Sequence, residues 1–118
     1  MATQGIVSVL DVDGQTVLYK IIAGSDGYNA AFVAEWVKAQ TAPLTMLMLY
    51  EGARKLHFGT EDNLVIQDAV GSLLYNGDGG IGEHGTLYRD DTKFRDPKFN
   101  PRWDIGIADY VELVTLVP

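Results

Sequence analysis

Apolar and polar positions alternate along this chain in two distinct periods, and the pattern predicts strands at both ends with two helices between. Gly5-Ile-Val-Ser-Val-Leu10 and Thr16-Val-Leu-Tyr-Lys-Ile-Ile22 are β-branched, apolar runs. They flank Asp11-Val-Asp13-Gly14-Gln15, whose Asp-Gly pair marks a hairpin turn. Asp11-x-Asp13-Gly14 also opens like a calcium loop. The third ligand position and the distal bidentate Glu are missing, so a turn is expected.

Ala23-Gly-Ser-Asp-Gly27 breaks the second strand, and Asn29 is placed to cap a helix over about Ala30 to Gln40. Phe32, Val33, Trp36 and Val37 fall on one helical stripe, which predicts Trp36 in the core. Tyr28, just before the cap, is expected to pack on Val33 as a hydrophobic staple. A second helix is expected from about Pro43 to His57, since Met46, Leu49, Tyr50, Ala53 and Leu56 keep a helical period and Gly59 would end it. A protonated His57 near its end would favour the helix dipole. Leu44-Thr-Met-Leu-Met-Leu-Tyr50 also reads as a buried strand, and Met46 and Met48 as core filler.

Asn63-Leu-Val-Ile-Gln67 and Ser72-Leu-Leu-Tyr75 suggest a second hairpin, which Thr86-Leu-Tyr88 would extend. Asp109-Tyr-Val-Glu-Leu-Val-Thr-Leu-Val117 is apolar on both faces, which suggests a central or interface strand that would support a homo-oligomer. The expected fold is a single α+β domain over residues 1–118. It would have a mostly antiparallel sheet of about five strands with two helices packed on one face.

Length and composition fit that picture. A chain of 118 residues with 47% hydrophobic and 21% charged residues can bury one core. It has no cysteine, so neither disulfides nor thiolate zinc sites are available. No basic leader with a long apolar run is visible, and a cytoplasmic protein that avoids membranes is expected.

Charge adds a second theme. The formal net charge is −7, yet Arg89, Lys93, Arg95, Lys98 and Arg102 are five of the nine basic residues. With Asp90, Asp91 and Asp96 their stretch carries +2, while four cations against thirteen carboxylates leave −9 elsewhere. A surface so acidic repels duplex DNA, which speaks against a general DNA-binding role, and no duplex nucleic acid is expected as a partner. A small anion remains compatible with the basic stretch. Phe94, Phe99 and Trp103 are interleaved with its cations, so guanidinium and ammonium groups could meet phosphates while rings stack on bases. Pro97 and Pro101 would limit the entropy lost on closure. The bland alternative is a satellite core in which the rings are tucked away and the charges neutralise one another.

Gly77-Asp-Gly79-Gly80-Ile-Gly82 is a literal G-x-G-x-x-G after a predicted strand. A dinucleotide fingerprint must open a helix, whereas Glu83-His84-Gly85 and a strand-like segment follow. Its glycine amides could still form an anion nest. His84 as a general base beside Asp78, Glu83 and Ser72 is only a set of residue types, and no two-His metal spacing exists.

The segment Tyr19-Lys-Ile-Ile-Ala-Gly-Ser-Asp26-Gly27-Tyr28-Asn29 resembles the D-G-Y-P element of small phage and prophage proteins of unknown function, with Asn29 in place of Pro. Those proteins also tend to end in a D/E-Y-V strand, similar to Ala108-Asp109-Tyr110-Val111-Glu112 here. The likeness covers about a third of the chain. It implies a viral accessory protein in the cytoplasm of a host cell, and it carries over no catalytic residue.

Three functional readings follow. The leading one is a non-enzymatic phage accessory or counter-defence protein that sequesters a small anionic, nucleotide-like ligand. Its site would comprise Gly79, Gly80, His84, Arg89, Phe94, Arg95, Lys98, Phe99, Arg102 and Trp103, with no metal or cofactor. The second is an acidic inhibitor whose Glu61, Asp62, Asp68, Asp78 and Glu83 engage a basic protein partner. The third is a small hydrolase centred on His84.

Overall fold

The computed structural model describes residues 3–60, 63–69, 73–75, 86–88 and 108–118. Strands β1 (Gly5–Leu10) and β2 (Val17–Ala23) are followed by a 3-10 turn (Gly27–Asn29) and helices α1 (Ala30–Lys38) and α2 (Met46–Lys55). Strands β3 (Leu64–Asp68), β4 (Leu73–Tyr75), β5 (Thr86–Tyr88) and β6 (Tyr110–Thr115) complete the order. The sheet runs β5-β4-β3-β2-β1-β6. Neighbours pair antiparallel except β1 with β6, which are parallel. The α+β class is therefore as expected. Four strands of five to seven residues form the body of the sheet, and two three-residue strands extend it beyond the anticipated count of about five.

Period-two alternation explains the packing. Val7, Val9, Ile21, Leu64, Ile66 and Val114 face Val33, Val37, Leu49, Tyr50, Ala53 and Phe58, so both helices lie on one sheet face. The alternate residues Ile6, Ile22 and Val65 are also buried, and all six residues of β1 are shielded from water. That suits a strand with partners on both sides. Among the described residues the buried Ser8 hydroxyl has no hydrogen-bond partner, and a hydroxyl left so costs about 1–3 kcal/mol.

The β1–β2 hairpin closes through Asp11 N–H donating to the Thr16 carbonyl at 2.8 Å, with Gly14 at φ +71°. Asp13 organises the turn. Its carboxylate accepts from the N–H groups of Gln15 and Thr16, each at 2.9 Å, and from the Thr16 hydroxyl at 2.6 Å. Those bonds, the Thr16 hydroxyl foremost, hold the Asp13 carboxyl below its ordinary value of 3.8. A carboxyl depressed in the folded state stabilises above its unfolded pKa, and that contribution is lost as pH falls through the folded value. We therefore expect the turn to loosen only below pH 3.8, with the Asp13 carboxyl resonance titrating beneath that value in a carbon-detected NMR series. A midpoint at or above it would contradict the turn geometry.

α2 begins later than Pro43 because Thr45 is the better cap: its backbone is extended, and its side-chain oxygen accepts from Met48 N–H at 3.1 Å. The strand alternative for this segment is overturned. At the other end, Phe58 N–H donates to the Ala53 carbonyl at 2.9 Å and His57 N–H to the Arg54 carbonyl at 3.0 Å. This is a Schellman closure with His57 at φ +56°, where glycine is the usual residue, so Gly59 does not end the helix.

That position yields a prediction. Relief of left-handed strain, about 1–2 kcal/mol, outweighs the extra unfolded-state freedom of glycine, about 0.4–1 kcal/mol. His57→Gly should thus stabilise the protein by about 0.5–1 kcal/mol at pH 8 in urea unfolding. Destabilisation at pH 8 would refute the assignment.

Three other expectations are corrected. Phe32 is 64% exposed because α1 buries the Val33 and Val37 side of its stripe. Tyr28 is exposed rather than stapled to Val33, its hydroxyl lying 3.4 Å from the Asp26 carboxylate. Among the described strands β6 lies at a sheet edge and not at the centre, which leaves the interface position that its pattern also allowed, and of its residues only Val114 is buried.

Candidate functional site

Helices α1 and α2 border an open cleft of about 520 Å³ lined by Trp36, Gln40, Thr45, Leu47, Met48, Glu51, Gly52, Lys55 and Leu56. Its construction begins with Gly52. A Cβ there would lie 2.3 Å from the Trp36 ring, so only glycine lets the indole rest against α2. Glycine inside a helix costs about 1 kcal/mol relative to alanine, and this close packing offsets that cost.

The rim is held locally. Gln40 Nε2 donates to the Trp36 carbonyl at 2.9 Å, fixing the chain as it leaves α1. Thr45 fixes the start of α2 through its cap. Trp36 and Met48 are half-buried, and Leu47 is 43% exposed at the mouth. Glu51 and Lys55 are exposed beside them, so an apolar floor is bordered by one carboxylate and one ammonium. The volume falls within the usual range for binding sites, roughly 300–1,000 Å³. Such a cleft suits a bulky apolar side chain with polar neighbours.

Other charged groups on this side are engaged nearby. The Arg54 guanidinium lies 5.9 Å from the centre of the Tyr50 ring, and Lys38 Nζ is 3.4 Å from a Glu35 oxygen. Among the described residues no group of three or more His, Asp or Glu side chains could hold a metal ion. The Asp11 and Asp13 carboxylates serve the hairpin turn, as the sequence suggested.

The residues of the sequence-predicted ligand site, Gly79, Gly80, His84, Arg89, Phe94, Arg95, Lys98, Phe99, Arg102 and Trp103, lie outside the described residues. So do Ser72, Asp78 and Glu83 of the hydrolase reading, and Glu61 and Asp62 of the acidic face. Asp68 of that face is half-buried at the end of β3. Trp36, expected in the core, does pack against it, but it also floors the cleft. Sequence reasoning missed that second role. The available signal was Gly52, an isolated glycine in a helical pattern, which marks close approach of a neighbour.

Segments 19–29 and 108–112 converge on the start of β1. Gly27 N–H donates to the Thr3 carbonyl at 2.9 Å, and Asp26 adopts φ +55° to bring it there. Asp109 accepts from Gln4 N–H at 3.0 Å, and Tyr110 N–H donates to the Gln4 carbonyl at 3.1 Å. Asn29, at the N-cap position, makes no cap bond. Its Nδ2 instead donates to the His57 carbonyl at 2.9 Å, tying the start of α1 to the end of α2. These residues are explained by packing. Among the described residues no helix is long and apolar enough to cross a membrane. Comparison with models of protein families, with curated proteins and with solved structures returned no match.

Proposed function

We propose that this chain is a non-enzymatic binding protein that docks a partner protein in the cleft between α1 and α2. The observation that carries this reading is the Trp36 indole laid on Gly52 beside the exposed Leu47, with Glu51 and Lys55 at the rim. Aromatic anchors in apolar pockets dominate the energetics of protein interfaces. The net charge of −7 favours a basic partner by steering encounter. A phage accessory or counter-defence role, as the Asp26-Gly27-Tyr28 resemblance implies, is compatible with an inhibitor of this kind.

Selection of displayed peptides against the full chain tests it. Enriched peptides should carry an apolar residue flanked by Lys or Arg, and Leu47→Glu should weaken them by about tenfold or more. Arg95→Ala with Arg102→Ala should leave their affinity unchanged. Equal binding to the Leu47→Glu variant would remove the cleft from consideration.

A second reading keeps the small anionic, nucleotide-like ligand. It is supported by the crowding of Arg89, Lys93, Arg95, Lys98 and Arg102 with Phe94, Phe99 and Trp103 in an otherwise acidic chain. Here the same arginine pair should abolish binding of an added nucleoside triphosphate, and Leu47→Glu should spare it. A hydrolase centred on His84 requires turnover that disappears in His84→Ala.

A further inference from the structure

We infer that β6 is a pairing edge, and that a second copy of this chain adds antiparallel to it across a two-fold axis centred on Leu113. The inference is independent of the cleft. It starts from the backbone of β6, which among the described strands has β1 as its one neighbour.

Tyr110 N–H donates to the Gln4 carbonyl and Leu116 N–H to the Leu10 carbonyl, so even-numbered residues address β1. Backbone groups alternate sides along a strand, hence Val111, Leu113 and Thr115 present theirs outward. Exposed edges of this kind are usually blunted by lysine, proline, a bulge or shortness. β6 has six residues, Tyr110-Val-Glu-Leu-Val-Thr115, with Glu112 as its single charge and neither proline nor lysine. Val111 and Leu113 are 37% and 55% exposed and lie on the sheet face opposite the helices.

A second copy fits this edge because the strand complements itself. With the axis at Leu113, the two Leu113 residues face each other and Val111 faces Thr115 of the other copy. Every outward backbone group of the strand is then paired, and the exposed leucines meet on one face. Moving the axis to Glu112 sets two carboxylates directly opposite, which is destabilising. Moving it to Val114 brings Val117, beyond the strand, into the ladder. The Leu113 register avoids both costs, and it closes as a dimer without leaving another edge of β6 open.

Sedimentation and single-cysteine cross-linking of the full chain test this together. The wild-type protein should be a dimer at concentrations on the order of 10 μM. Leu113→Pro removes an outward N–H while leaving the bonds to β1, so it should raise the dissociation constant by about 100-fold or more with a retained circular dichroism spectrum. Because the chain lacks cysteine, Leu113→Cys supplies a single thiol, which under mild oxidation should link the two copies. Glu112→Cys should not. If Leu113→Pro fails to fold, the cysteine pair decides the matter by itself. A monomer at every concentration overturns the proposal. So does a dimer that survives Leu113→Pro in a folded chain, or one that cross-links through Glu112→Cys and not Leu113→Cys.

Discussion

Gly27→Ala is expected to destabilise this protein by about 1–3.5 kcal/mol, although it adds a single methyl group. A Cβ at Gly27 would lie 2.3 Å from the Gln4 carbonyl carbon, 2.4 Å from the Gly5 nitrogen and 2.5 Å from the Gln4 carbonyl oxygen. All three are backbone atoms at the start of β1, so no side chain can swing aside. Relief requires moving the 3-10 turn away and stretching the bond from Gly27 N–H to the Thr3 carbonyl. Overpacking costs about 1–3 kcal/mol, and the lost hydrogen bond about 1 kcal/mol more. The reduced freedom of the unfolded chain returns only about 0.4–1 kcal/mol.

Gly14 provides the internal control. It has φ +71° but nothing within 4 Å of a built Cβ, so Gly14→Ala meets backbone strain alone, about 1–2 kcal/mol. Urea unfolding of the two variants separates the causes. Equal losses would show that the turn is not packed on β1 as described.

Phe58→Ala should cost about 3–5 kcal/mol, a large share of the 5–15 kcal/mol typical of whole domains. Phe58 is fully buried, and its ring carbon Cε1 would lie 2.8 Å from a Cβ built on Gly5, so the ring fits tightly beneath β1. Its N–H also closes α2 onto the Ala53 carbonyl. Alanine keeps that backbone bond but leaves a cavity whose walls belong to a sheet and a helix that cannot easily collapse. The urea midpoint should fall with the slope unchanged. A loss below about 1 kcal/mol would place Phe58 outside the core.

Much of the fold was legible where local chemistry decides it. The first hairpin follows from two β-branched runs around Asp13-Gly14, and the observed strands differ by one residue from the expected bounds of β2. The start of α1 at Ala30 follows from the break at Asp26 and Gly27. Where two local signals competed, the stronger cap won: Thr45 set the start of α2, with Pro43 left outside.

Long-range arrangement was less legible. An apolar strand reads alike whether it is central or at an edge, because strand order is not written in its own period. The pattern of β6 therefore fitted a central or an interface strand alike, and among the described strands it lies at the edge with only Val114 covered. Phe32 shared a stripe with Val33, but which part of a stripe is buried depends on where the sheet and the other helix lie. The cleft is a property of two helices together, and Trp36 alone could not announce it.

The chain has two tryptophans, one in each candidate site: Trp36 on the floor of the helical cleft and Trp103 in the basic, aromatic stretch. Their two indole N–H resonances in a nitrogen-15 correlation spectrum therefore report on both sites at once. Titration with a peptide selected against the full chain should move the Trp36 resonance and leave that of Trp103 in place. Movement of Trp103 with Trp36 unchanged would contradict recognition in the cleft.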